Sequence, residues 1–282
     1  MYINYLSRLL CCIIWFSSPL YAQDKLPESL TLGLLPYLTA GQLTQKYTPL
    51  TVYLSKKLHI PVSLEIAKNY DEHIQKVSED KIDIAFLGGS PYIKIVEKYG
   101  KKPLLARYEI HGKPTFHGVI VVAQRSEIKT LQDLIGKKVA FGDANSTLSA
   151  QVPTYMLMQA GVPLEKLAEH DHLKNHENVV YGITLGDYSA GALAEEIFTE
   201  YQKKGLRVLA TSPPISTYVF VANSHLPNSL IEQIRQALLD LKQDPQGQEV
   251  LAKIGKEITG FVPVADSDYD NLRDILKSIV NQ

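Results

Sequence analysis

Two hydrophobic periods alternate along this chain, and that alternation limits its folds more than anything else in it. Apolar runs at residues 30–35, 61–67, 82–87 and 138–141 each read as a buried strand. Between them the apolar residues fall at helical spacing. Tyr47, Leu50, Tyr53, Leu54 and Leu58 make one such face, and Ile74 and Val77 continue the pattern in the next stretch. A strand–helix–strand rhythm implies an α/β fold with mainly parallel sheets and helices on both faces. Two more extended runs, 119–123 and 218–222, each fall where one α/β unit hands over to another. They read as two crossover strands joining two lobes. The first lobe then takes residues 23–118 and 223–282, and the second takes 119–222. Helices around 230–241 and 269–279 are expected to pack back on the first lobe.

Composition narrows the function. The chain has 282 residues, 45% hydrophobic and 21% charged, with a formal net charge of −1. That is ordinary globular composition. The near-neutral balance argues against a nucleic-acid partner, which calls for a strongly basic face. Both cysteines, Cys11 and Cys12, and the sole tryptophan, Trp15, fall at the extreme N-terminus. Later positions therefore offer no disulfide framework, thiolate zinc site or cysteine nucleophile. Residues 1–22 read as a secretory signal peptide. Arg8 precedes an apolar run over 9–16, followed by Ser17, Ser18, Pro19 and the small residue Ala22. The run is shorter than the roughly 20 apolar residues that span a bilayer. The cysteines sit inside it rather than after it, which speaks against a lipid anchor. Export to the periplasm with cleavage near Ala22 is expected.

The strongest local motif runs from Phe141 through Gly142, Asp143, Ala144, Asn145, Ser146, Thr147 and Leu148 to Ser149. A strand ends, a polar turn follows and a helical pattern begins near Leu148. Asn145, Ser146 or Thr147 suits a plain helix cap. The same exposed N–H groups and hydroxyls also make a neutral cradle for an oxyanion. Pro153 is awkward there, because it should kink a helix that starts at Leu148. His170, Asp171, His172 and His176 resemble a metal cluster by spacing, but the segment straddles a strand end and a helix start, so no metal is expected. His176 fits better as a donor at a helix N-terminus, ahead of Val179, Val180 and Ile183. Gly88, Gly89 and Ser90 lack the lysine and spacing of a P-loop and read as a strand-end turn lining a cleft. No nucleophile elbow or metalloprotease motif occurs. Neither an enzyme nor a cofactor is indicated.

Together these landmarks resemble the periplasmic phosphonate-binding proteins of ABC importers, the phosphate/phosphite/phosphonate group, across about residues 29–279. The resemblance rests on the strand at 30–35, Asn69-Tyr70-Asp71, the run at 82–88, the run at 131–141, Ser146 and Thr147, His176 and the spacing between them, and the C-terminal stretches 260–264 and 268–270. It implies a two-lobed type II periplasmic binding protein fold that closes on its ligand. It assigns the grip on the phosphonate oxygens to Ser146, Thr147 and His176, with Tyr70 contributing from the first lobe. A second family aromatic falls at Phe116, which lacks a hydroxyl, and His117 stands beside it. Ser149 replaces a frequent glycine. Where aminoalkylphosphonate binders hold the ammonium with two acids, this chain has Glu196, or Glu195 by helical phase, and Tyr218, which is not acidic. A smaller oxyanion or a different phosphonate is therefore expected. The implied partners are a small phosphorus-containing anion and the permease of an ABC importer in the inner membrane, with the protein a monomer. The alternative is a periplasmic sensing module of the same fold that regulates a membrane signalling protein.

Overall fold

The computed structural model describes residues 26–280, so the expected leader at 1–22 lies outside the described residues. Strands β1 (Leu30–Leu34), β2 (Val62–Ile66) and β3 (Ile84–Leu87) are joined by helices α1 (Ala40–Leu58) and α2 (Tyr70–Ser78). They form a parallel block with β1 in the middle. Helix α3 (Gly89–Tyr99) and strand β4 (Leu104–Ile110) follow, and then the short β5 (Thr115–Phe116) leads out of the lobe. The second lobe contains β6 (Gly118–Ala123), β7 (Lys138–Phe141), α4 (Val152–Gln159), β8 (Glu169–His172), α5 (His176–Thr184), β9 (Ala190–Ala194), α6 (Glu195–Tyr201) and β10 (Leu206–Thr211). The chain returns through β11 (Ile215–Ser216) to β12 (Val219–Ala222), α7 (Asn228–Leu239), α8 (Pro245–Ile254), β13 (Ile258–Val262) and α9 (Asp270–Val280).

The first sheet has six strands in the order β13-β4-β12-β3-β1-β2, and the second has five in the order β10-β6-β9-β7-β8. Both are mixed. The parallel blocks are β2-β1-β3 and β8-β7-β9, whereas β12 and β6 run antiparallel to both of their neighbours. Each of these two strands enters straight from the crossing, without a covering crossover helix, and an antiparallel pairing needs none.

The hinge differs from the sequence expectation. The runs at 119–123 and 218–222 lie mostly within β6 and β12, strands inside the two sheets, and are not the crossing itself. The crossing is the two-residue antiparallel pair of β5 and β11. Val119 to Val122 and Val219 to Val221 are all fully buried, and so apolar a run belongs in a sheet interior. Residues 219–222 are therefore part of the first sheet. Helices α7 and α8 pack against α1, whereas α9 touches both α3 and α4 and so spans the two lobes.

Phe86 on β3 is the hub of the first lobe near the cleft. Its ring centroid lies 4.9–5.8 Å from those of Tyr37, Tyr47, Tyr108, Tyr218 and Phe220. Its carbonyl also accepts from the buried His73 ring at 3.0 Å. Phe86→Ala is expected to cost about 3–5 kcal/mol of stability in denaturant unfolding. A loss below about 1 kcal/mol would show that the tyrosines pack without it.

Candidate functional site

The site forms where the parallel strands end. In an open α/β sheet the carboxyl edge is where loops and helix starts leave room for a ligand. Here the carboxyl ends of β1, β2 and β3 in one lobe face those of β7, β8 and β9 in the other. Tyr37 follows β1, Tyr70 follows β2, Ser90 follows β3, Ser146 and Thr147 follow β7, His176 follows β8 and Glu196 follows β9. A cleft of about 640 Å³ opens between the lobes and is lined by Pro36, Leu38, Asn69, Tyr70, Asp143 and Asn175, among others.

Several helices begin at this cleft. Asn69 caps α2 through Glu72 N–H, and Asn175 caps α5 through Asn178 N–H. Ser146 caps the next turn by accepting from Ser149 N–H at 3.2 Å. These ends direct the positive end of the helix dipole at the cleft, which favours an anion there. The awkward Pro153 is also accounted for. Residues Thr147–Gln151 form a π-helical turn, and α4 begins only at Val152, so the proline falls in the first turn of α4. There its missing N–H costs little.

The individual groups fit oxyanion binding. Ser146, Thr147, Ser149, His176 and Tyr70 are all buried. Thr147 Oγ1 accepts the Ser90 N–H at 2.9 Å across the lobes. Ser149 points away, its hydroxyl donating to Ala192 O at 2.6 Å. The Tyr70 hydroxyl lies beside Ser146, and burial raises its pKa. His176 stands at the first position of α5, as expected. Burial lowers its pKa to about 4, so the ring is neutral at ordinary pH. Its Nδ1 accepts a long 3.5 Å contact from Ala194 N–H, which leaves the proton on Nε2 as a donor. The His176 N–H donates to Tyr37 O at 3.2 Å, and the Tyr37 ring stands edge-on to the imidazole at 6.3 Å.

The residues expected near the far end of the ligand form a closed wall. Tyr218 donates to Glu196 Oε1 at 3.0 Å. Its ring packs against Phe116 and Phe86 at 4.9 Å and against Tyr37 at 5.7 Å. Glu196 Oε2 is sealed from solvent and has no hydrogen-bond partner among the described residues. Burial raises the Glu196 pKa to about 7. Glu195 is exposed, and its N–H donates to His117 O, so of the two acids only Glu196 turns inward. His117 Nδ1 is 2.8 Å from Ser212 O. That carbonyl fixes the proton on Nδ1, so Nε2 is an acceptor unless the ring is charged.

The segment with metal-like spacing diverges. His172 bonds to Gly142 O, Asp171 accepts the Tyr188 hydroxyl, and His176 is buried with its Nδ1 towards Ala194 N–H. Sequence reasoning did not single out Tyr37, which meets His176 through both its carbonyl and its ring. Its position just after a parallel strand was the available signal.

A model of the family described as "ABC transporter, phosphonate, periplasmic substrate-binding protein" matches residues 32–269. The chain belongs to this family. It is 26% identical to the phosphate-import protein PhnD of Mycolicibacterium smegmatis, over 94% of this chain and 92% of that protein. It is 24% identical to the probable ABC transporter phosphite binding protein PhnD1 of Prochlorococcus marinus, over 92% of each. The structure of that PhnD1 in complex with methylphosphonate superposes with a TM-score of 0.83 at 20% identity, covering 90% of this chain and 99% of the other. As a member of this family the protein is a substrate-binding component of an ABC transporter with the type II fold. These relatives are transport proteins, and they lend no support to the sensing alternative. Among the described residues, no helix is long and apolar enough to cross a membrane.

Proposed function

We propose that this protein captures a small tetrahedral phosphorus oxyanion, such as phosphite, phosphate or methylphosphonate, and passes it to the permease of an ABC importer. It works as a monomer in the periplasm after losing its leader near Ala22. Ser146, Thr147, Tyr70 and the neutral His176 hold the oxygens. The observation that carries the choice of a small ligand is the Tyr218–Glu196 bond at 3.0 Å. A ligand ammonium would be held by two acids there, but Tyr218 stands in place of one of them and occupies Oε1 of the other, Glu196, whose pKa burial raises to about 7. The aromatic wall of Tyr37, Tyr218 and Phe116 also fills the space a longer chain would take.

Thermal unfolding with a panel of anions tests this reading. A ligand at 100 times its Kd adds about 2.7 kcal/mol, or roughly 5–10 °C for a chain of this size. Phosphite, phosphate or methylphosphonate should produce that shift, and 2-aminoethylphosphonate much less. No shift with any small oxyanion, or the largest one with 2-aminoethylphosphonate, would refute the assignment.

A further inference from the structure

The geometry points to the Ser90 hydroxyl as a further anion-binding donor, supplied by the first lobe at the start of α3; this rests on the oxyanion reading above. Ser90 is only 7% exposed, yet its Oγ is buried with no hydrogen-bond partner among the described residues. Leaving a hydroxyl dry and unpaired is unfavourable, and such groups in a native protein call for an explanation. The position of Ser90 supplies one. Its N–H donates to Thr147 Oγ1 at 2.9 Å, and a serine Oγ stays within about 4 Å of its own nitrogen in every staggered rotamer. The orphan hydroxyl therefore belongs to the turn of α3 that meets Thr147, one of the residues assigned to the anion.

The approach of α3 is built into the sequence. A Cβ on Gly88 would come within 3.1 Å of Thr147 Oγ1, and one on Gly89 within 2.5 Å of Leu272 Cδ2. Glycine at 88 lets the first turn of this eleven-residue helix press against Thr147 of the second lobe, and glycine at 89 lets the same turn pack closely on α9. Lys94, one turn on, donates to Asn145 Oδ1 at 2.8 Å and holds the same approach from outside. An anion seated on Ser146 and Thr147 thus meets a helix N-terminus and a free hydroxyl together, which suits a phosphoryl-type oxygen. Because Ser90 belongs to the first lobe and Thr147 to the second, the bond exists only when the lobes are together. Ser90 therefore links oxyanion capture to closure.

Calorimetric titration of methylphosphonate into Ser90→Ala, alongside thermal unfolding without added ligand, tests the assignment. Loss of a hydrogen bond to a charged oxygen should weaken affinity about 10- to 100-fold. The midpoint without ligand should stay level or rise, because an unsatisfied hydroxyl has been removed. Ser90→Cys keeps the bulk but donates weakly, and should bind like the alanine variant. Affinity within threefold of wild type in both variants would overturn the proposal, as would a fall in the unliganded midpoint that accounts for the lost affinity. If the wild-type protein binds none of the oxyanions, the ligand reading fails and Ser90 falls with it. Wild-type binding with unchanged variants removes the Ser90 assignment alone.

Discussion

Thr147→Val is expected to weaken oxyanion binding by about 100-fold or more while leaving both sheets intact. Thr147 Oγ1 accepts the Ser90 N–H, and this contact leaves its own proton free to donate. Accepting one bond also polarises the hydroxyl and strengthens the bond it gives. Valine matches the shape of threonine, so little volume changes. It nevertheless takes a donor from the anion, at about 1.5–3 kcal/mol, and strands the Ser90 N–H, at about 1–3 kcal/mol. The second loss reaches the protein without ligand too, and should lower its midpoint by about 2–4 °C per kcal/mol. Calorimetry with circular dichroism as the fold control checks both effects. Affinity within threefold of wild type would move the site elsewhere.

The second large effect concerns pH. Burial holds the Glu196 carboxyl protonated up to about pH 7, against an ordinary value of 4.5. Its neighbours explain why burial prevails. Glu195 and Glu200 on its own helix raise it further, the hydrogen bond from Tyr218, just ahead of β12, lowers it only in part, and Lys46 across the cleft pairs with Glu200 at 2.7 Å. The folded protein therefore binds a proton that the unfolded chain releases near pH 4.5. By linkage, this group's contribution to stability is fully present below about 4.5 and is lost as pH rises through about 7. The buried His73 and His176, both lowered to about 4, act in the opposite sense. Their contribution is present above about 6.5 and is lost as pH falls towards 4. Glu196→Gln isolates the carboxyl, since it leaves the histidines alone. The variant should outlast wild type in thermal unfolding at pH 8, and the gap should close by pH 4.5. Anion affinity should follow, because an ionised Glu196 near the cleft repels the ligand. Parallel stability curves for the two proteins from pH 4.5 to 8 would contradict this account.

Much of this was legible in the sequence because it is local. The strands were readable as buried apolar runs, and Ser146, Thr147 and His176 as polar residues just beyond strand ends. What escaped depends on contacts between distant segments. Ser90 reads only as part of a strand-end turn lining a cleft until Thr147, 57 positions away, comes to meet it. Tyr37 gains its role only when the second lobe places the His176 N–H on its carbonyl. The hinge was misplaced because apolar character marks burial, and the strands just beyond the crossing are more buried than the crossing. Pro153 conflicted with a regular helix because the π-helical turn ahead of it has no sequence signature of its own.

The position of β12 between β3 and β4 also bears on how the chain assembles. The second lobe is one continuous stretch, from β6 to β10, and its sheet pairs strands of that stretch alone. The first sheet cannot close until β12 and β13 have been made, because β12 joins β3 and β4 across more than 100 residues of intervening chain. Pairings so distant in sequence form slowly, since the loop must be ordered before the contact rewards it. The nascent chain therefore carries a half-built first sheet through most of its synthesis. The face between the two lobes, which needs both sheets, is assembled last.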